Sequence, residues 1–127
     1  MIFKRFKGIR IEREQWLKSI PVRVVEDYTE DDNGIVTILV ELEYRGLIGK
    51  IIKAISITPP PKYKRIVLDK IGSVVWKMCD GKHTVEDIIK KLMSITGLSR
   101  RNVELAVYHY IKTLVMKGLI ELKIPEK

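Results

Sequence analysis

The stretch Val74–Ile88 reads "VVWKMCDGKHTVEDI", and its interpretation decides whether this region is a helical corner or a reactive centre. Within six residues it contains a cysteine, an aspartate, a histidine and a threonine: Cys79, Asp80, His83 and Thr84. The pair Asp80-Gly81 is typical of the end of a helix, because glycine readily adopts a positive φ. Thr84 is a good N-cap for a following helix. We therefore interpret the stretch as the corner between two helices.

The same residues make a poor catalytic or metal centre. A catalytic cysteine needs an oriented base beside its thiolate, whereas Cys79 follows an apolar stripe and is expected to be buried as a small hydrophobe. The two histidines and the one cysteine give no recognised ligand spacing. No phosphate loop or nucleophile elbow is present. We predict that the protein is not an enzyme and holds no metal or cofactor.

Capping residues predict three helices along the second half of the chain. Each of three apolar-periodic segments follows a residue whose side chain can accept a hydrogen bond from the first turn. The segments are residues 70–79, 85–95 and 100–117, with Asp69, Thr84 and Ser99 as N-caps. Gly118 ends the third helix in the αL manner. Residues 119–124 then form a short strand.

The first half reads mainly as strands. Residues 21–28 and 35–44 flank a turn at Asn33-Gly34, which predicts an antiparallel hairpin. Residues 62–68 alternate again and would be the third strand of this sheet. The expected fold class is therefore α+β, with an N-terminal antiparallel sheet of about three strands, three helices and a short C-terminal strand.

Charge and length set the domain organisation. The 127 residues predict a single domain over 21–127, preceded by a basic N-terminal arm, residues 1–20, and interrupted by a basic amphipathic insertion at 44–61. One cysteine excludes a disulfide framework, and no run of roughly 18 apolar residues predicts a membrane span. We expect a cytoplasmic protein. The net charge of +8 is typical of proteins that bind nucleic acid or an acidic partner, whereas the Ile-, Lys- and Glu-rich, Gln-poor composition resembles that of a thermophile's cytosolic protein.

The third helix carries two adjacent apolar stripes. The first contains Val103, Val107, Tyr110 and Leu114, and the second contains Tyr108, Ile111 and Val115. Such a helix is either central and buried or lines a groove beside strand 62–68. In the second case, the strand edge and the apolar trough would accept an extended peptide.

DNA binding is the alternative function. Residues 83–122 follow the helix–turn–helix–strand order of a winged helix-turn-helix, and Arg100 and Arg101 begin the third helix where contacts to DNA are expected. However, the nine residues after Gly118 are too few for a two-stranded wing. The exposed side of the helix also has few polar side chains to read bases.

The pattern "LD-x-IG-x3-W-x3-DG-x2-TV" and the closing Gly118-Leu119-Ile120 resemble the PqqD-like family, the pyrroloquinoline quinone biosynthesis protein D type of RiPP recognition element. The motif begins at Leu68 and ends at Val85, and the resemblance covers about residues 21–122. It implies a winged-helix-like domain without catalysis. Members bind the leader of a ribosomally made precursor peptide and present it to a modifying enzyme, often a radical-SAM protein.

The resemblance also implies a binding site. In the family, the leader adds as a strand to the third β-strand and packs against the third helix. On this chain the strand positions are Lys64, Arg65, Ile66 and Val67, and the helix positions are Tyr108, Ile111 and Val115. The basic segments 1–20 and 44–61 exceed the compact family pattern and are either further contact surfaces or solvated extensions.

Overall fold

The computed structural model describes residues 2–6, 9–42, 46–55 and 63–126. Within these ranges the chain forms seven strands and five helices. The strands are β1 (Ile2–Phe6), β2 (Ile9–Glu12), β3 (Ile20–Arg23), β4 (Tyr28–Glu30), β5 (Val36–Glu41), β6 (Tyr63–Val67) and β7 (Ile120–Lys123). The helices are α1 (Arg13–Lys18), α2 (Gly46–Ile55), α3 (Lys70–Met78), α4 (Val85–Thr96) and α5 (Arg100–Met116). The α+β class is therefore confirmed.

The strands form three small antiparallel sheets in the described ranges: β1–β2, β3–β7 and β4–β5–β6. In the three-stranded sheet, Ile38 of β5 lies opposite Tyr28 of β4 and Ile66 of β6. These three side chains share the face directed to the core, because directly opposed residues project from the same side of a sheet. β6 lies at the edge of this sheet, with β5 as its neighbour.

The three helices after β6 begin at the predicted N-caps. A carboxylate oxygen of Asp69 accepts a hydrogen bond from the Gly72 N–H at 2.6 Å. Thr84 Oγ1 accepts from the Asp87 N–H at 3.1 Å, and the Asp87 carboxylate accepts from the Thr84 N–H at 2.9 Å. This reciprocal pair is the predicted capping box. Ser99 caps α5 in the same way.

The core is aliphatic and contains two tryptophans. Trp16 of α1 is 1% exposed, and its ring meets Tyr108 of α5 edge-on, with 5.4 Å between centroids. Trp76 of α3 is fully buried and meets Tyr28 of β4 edge-on at 5.7 Å. The Arg23 guanidinium lies 5.9 Å from the Trp76 ring centroid. Aromatic contacts therefore connect α1 and β4 to the helical half of the molecule.

The prediction of one strand over residues 21–28 is wrong. β3 pairs with β7, whereas β4 pairs with β5 to form the hairpin. Between them, the N–H groups of Val24 and Val25 both donate to the Leu119 carbonyl oxygen, at 3.0 and 3.4 Å. The chain leaves β7 at this point and turns to meet β5. An alternating pattern identifies the two faces of a strand but leaves its partner open.

The segment predicted as a basic N-terminal arm contains β1, β2 and the short helix α1. Glu12 and Gln15 form a capping box at the start of α1. Ile11 and Trp16 are both buried in the core cluster. The part of this segment from residue 11 to residue 16 therefore contributes directly to the core.

Candidate functional site

The corner between α3 and α4 holds Cys79, Asp80 and His83. Cys79 is buried, and its thiol donates a hydrogen bond to the Val75 carbonyl oxygen at 3.1 Å. Burial raises the pKa of the Cys79 thiol to about 12, although nearby Arg23 acts to lower it. His83 Nδ1 lies 2.9 Å from Oδ2 of Asp80. The thiol and the imidazole thus have different partners, and this corner contains no thiol–imidazole pair.

The corner also holds β3 in place. The Cys79 carbonyl oxygen accepts from the Arg23 N–H at 2.9 Å, and the Gly81 N–H donates to the Pro21 carbonyl oxygen at 3.0 Å. Gly81 has a φ of +79°, and a Cβ there would lie 3.2 Å from Cγ2 of Val22. Glycine is therefore favoured both by the backbone angle and by the close approach of β3. The corner is a structural joint.

We expect Cys79 to be unreactive in the folded protein. Because the thiolate is the nucleophile, a thiol with a pKa of about 12 should alkylate at least ~100-fold more slowly than the same thiol in the unfolded chain. Mass spectrometry after timed iodoacetamide treatment, with and without guanidinium chloride, measures the ratio. Similar rates in both conditions would contradict the prediction.

The same shift makes the stability of the fold depend on pH. The pKa of the Cys79 thiol is higher in the folded protein than its usual value of 9.0. The stabilisation from the protonated Cys79 thiol is therefore complete below pH 9 and declines as the pH rises toward 12.

β6 offers backbone groups on the edge that faces away from β5. Lys64 and Arg65 are exposed, and Val67 retains 67% of its accessible surface. Ile66 is half-buried and lies opposite Ile38, which is fully buried. An edge strand with accessible side chains can pair with an added extended segment.

A cavity of about 260 Å³ lies between the end of β6 and α5. The residues that line it from the strand side are apolar except for one aspartate, whereas those from the helix side include both polar and apolar side chains. The lining consists of Ile66, Val67, Leu68 and Asp69 on the first side and His109, Tyr110, Thr113, Leu114 and Lys117 on the second. The cavity therefore extends the accessible part of β6 onto one face of α5.

Tyr110 and Asp69 fix the wall of this cavity. The Tyr110 hydroxyl donates to Oδ2 of Asp69 at 2.5 Å, while Oδ1 of Asp69 caps α3. Burial, together with the bond to Asp69, raises the pKa of Tyr110 to about 12. A Cβ at Gly72 would lie 3.0 Å from the Tyr110 ring. In the "LD-x-IG" motif, Asp69 thus binds the Tyr110 hydroxyl, and Gly72 leaves room for the Tyr110 ring beside the cavity.

The helix residues predicted to bind peptide lie on another side of α5. Ile111 is fully buried and Val115 is 3% exposed, and both belong to the core cluster. Tyr108 is half-buried and packs against Trp16 of α1. None of these three side chains lines the cavity. Of the predicted strand positions, Ile66 and Val67 line the cavity.

The cavity side of α5 had a sequence signal that the apolar stripes concealed. His109, Thr113 and Lys117 recur every four residues and all line the cavity. Residues four apart share one face of a helix. This polar row, beside the buried stripe of the helix, therefore marks the face of α5 that borders the cavity.

The arginines of the DNA-binding alternative have different surroundings. Arg100 Nη1 donates to Glu86 at 2.8 Å, Nη2 donates to the other Glu86 oxygen, and Nε donates to Glu104 at 3.2 Å. The hydrogen bond between Arg100 and Glu86 lowers the pKa of Glu86 and raises that of Arg100. Arg13 also bonds Glu104, at 2.5 Å. Arg100 is thus committed to a network that joins α1, α4 and α5, whereas Arg101 is exposed.

Among the residues that the structure describes, no group of three or more His, Cys, Asp or Glu side chains is placed to hold a metal ion. In the same part of the chain, no helix has the length and apolar character needed to cross a membrane.

The sequence model of the family described as "Coenzyme PQQ synthesis protein D (PqqD)" matches residues 58–120. This range is narrower than the predicted resemblance over 21–122, but it contains the whole motif from Leu68 to Val85 and the closing Gly118-Leu119-Ile120. No curated protein and no solved structure matches the chain. The segment that contains β6, the cavity wall and helices α3 to α5 is therefore a PqqD-like sequence.

Proposed function

We propose that this protein is a non-enzymatic recognition module that binds the leader of a ribosomally made precursor peptide and presents it to a modifying enzyme of the radical-SAM type. The family match supports a recognition role of this kind, since PqqD proteins are non-catalytic accessory proteins that work with a precursor peptide and a partner enzyme. We assign the binding step to strand addition at β6.

The observation that carries the proposal is the junction of an edge strand with a cavity. A peptide that pairs with β6 would satisfy backbone groups on the edge facing away from β5. Alternate side chains of that peptide would project to the same side of the sheet as Ile66, where the end of β6 and α5 border a space of about 260 Å³. Backbone pairing supplies affinity, and a pocket for alternate side chains supplies selectivity.

The charges around this site favour an acidic leader. Lys64 and Arg65 are exposed on β6, and Lys117 lines the cavity. Asp69, the acid in the lining, is already bonded to the Gly72 N–H and the Tyr110 hydroxyl. A cationic rim attracts an anionic partner and makes association dependent on salt. We therefore expect acidic residues on either side of an apolar residue that enters the cavity.

Ile66→Asp is expected to weaken leader binding about tenfold or more, because the carboxylate removes an apolar contact and repels an acidic peptide. The measurement is an NMR titration of the isotopically labelled full chain with synthetic leaders encoded by short reading frames beside the gene. In the wild type, the amides of residues 64–67 should shift. Leu105→Asp is the matched control, since Leu105 lies on α5 outside the cavity and is 53% exposed.

The same titration decides which face of α5 takes part. Shifts of Tyr110 and Thr113 side chains would support the cavity, and shifts of Tyr108 and Ile111 would support the face predicted from sequence. If Ile66→Asp fails to fold, Thr113→Trp fills the cavity from a half-buried position and should weaken binding instead. Unchanged amides at residues 64–67 with every leader would overturn the proposal.

A further inference from the structure

The connection between β5 and β6 lies at one end of the three-stranded sheet. Glu41 of β5 and Tyr63 of β6 are register partners, so β5 ends and β6 begins at the same end of the sheet. Helix α2 belongs to this connection. The peptide cavity lies beside the other end of β6, at Val67 and Leu68. We call α2 together with Tyr63, the first residue of β6, the tip, and it is separate from the strand positions 64–67 and from the cavity.

Helix α2 exposes large apolar side chains. Ile51 is 49% exposed and Ile55 is 74% exposed, and they are four residues apart, so they project from one side of the helix. Gly49 is buried and lies about 140° around the helix from this pair. The two exposed isoleucines therefore lie on the other side of α2 from its buried glycine.

All charges of the tip sequence are positive. Residues 44–68 contain six lysines and arginines and no aspartate or glutamate. Within α2, the cations Lys50 and Lys53 are both exposed. Tyr63 is 49% exposed and adds an amphipathic ring at the base of the tip. Apolar and cationic groups are thus presented together by one short helix and the strand that follows it.

We propose that the tip binds the surface of an anionic lipid bilayer. Ile51 and Ile55 enter the boundary between headgroups and acyl chains, while Lys50 and Lys53, which lie about 120° and 180° around the helix from this pair, attract the anionic headgroups at longer range. Exposed isoleucines beside exclusively positive charge are the chemistry of interfacial helices, and each lysine near an anionic surface adds attraction. A lipid surface offers phosphate and hydrocarbon side by side, so it matches both groups at once. The attachment is weak and reversible, because stable anchoring requires a second signal.

The test is co-sedimentation of the full chain with vesicles of phosphatidylcholine alone or mixed with phosphatidylglycerol. The wild type should bind the mixed vesicles, and binding should fall as salt is added. Ile51→Asp should lower the partition about tenfold. Ile95→Asp is the matched control, because Ile95 lies on α4 and is 51% exposed. It should bind as the wild type does.

A second pair of variants tests the charge. Replacing both Lys50 and Lys53 by Gln should reduce binding to mixed vesicles several-fold, roughly by the attraction of two cations. The same replacement at Lys90 and Lys91, which are exposed on α4, should have a much smaller effect. Failure of the wild type to bind mixed vesicles would overturn the proposal and favour an acidic protein as the partner. Equal losses from tip and control variants would overturn it as well.

Discussion

Trp16→Ala is expected to lower the free energy of unfolding by about 3–5 kcal/mol, because removal of a buried tryptophan leaves a large cavity. Trp16 is 1% exposed, and its ring packs edge-on against Tyr108. The residue lies outside residues 58–120, the range that matches the family model. Urea unfolding followed by circular dichroism measures the loss.

Two controls make this first experiment decisive. Trp16→Phe keeps an aromatic ring against Tyr108 and should lose well under half as much stability. Lys18→Ala changes an exposed residue of the same helix and should stay within about 0.5 kcal/mol of the wild type. If Trp16→Ala also stayed within this range, residues 11–18 would be a dispensable extension.

Trp76→Ala is expected to have a loss of similar size, about 3–5 kcal/mol. Trp76 is fully buried on α3, and its ring contacts Tyr28 edge-on. The Arg23 guanidinium lies within 5.9 Å of the same ring. The side chain of Arg23 is 14% exposed, so the substitution leaves a mostly buried cation beside an empty space. Urea unfolding again measures the change.

Trp76→Phe tests the contribution of the indole N–H to stability separately from that of the aromatic ring. The Trp76 Nε1–H is buried and has no acceptor among the residues that the structure describes. Phenylalanine removes this donor and retains most of the apolar surface, so we expect a loss below about 2 kcal/mol. A loss equal to that of Trp76→Ala would show that the indole N–H is important for stability.

Local signals predicted the helical half of the fold. Asp69, Thr84 and Ser99 cap their helices through hydrogen bonds that reach three residues along the chain. Such contacts are determined by neighbouring residues, so they can be read from the sequence. The turn at Asn33-Gly34 was recognised for the same reason, and Gly34 has a φ of +81°.

Contacts between distant segments were not predictable in this way. Nothing near Pro21 or Val22 indicates that β3 pairs with β7 near the other end of the chain. The contact between Tyr108 on the predicted face of α5 and Trp16 was not foreseen either, because α1 was not predicted. The cavity depends on how closely the ring of Tyr110 approaches Gly72, which only the assembled structure reveals.

The pairing of β3 with β7 has a consequence for the order of folding. Ile20 pairs with Lys123 and Arg23 with Ile120. This pairing closes a loop of about 100 residues, and the chain entropy lost on closure is about 4 kcal/mol. By contrast, α3, α4 and α5 meet through contacts between near neighbours in sequence, which form fast. Folding should therefore start in the helical half, and β3 should dock after the transition state.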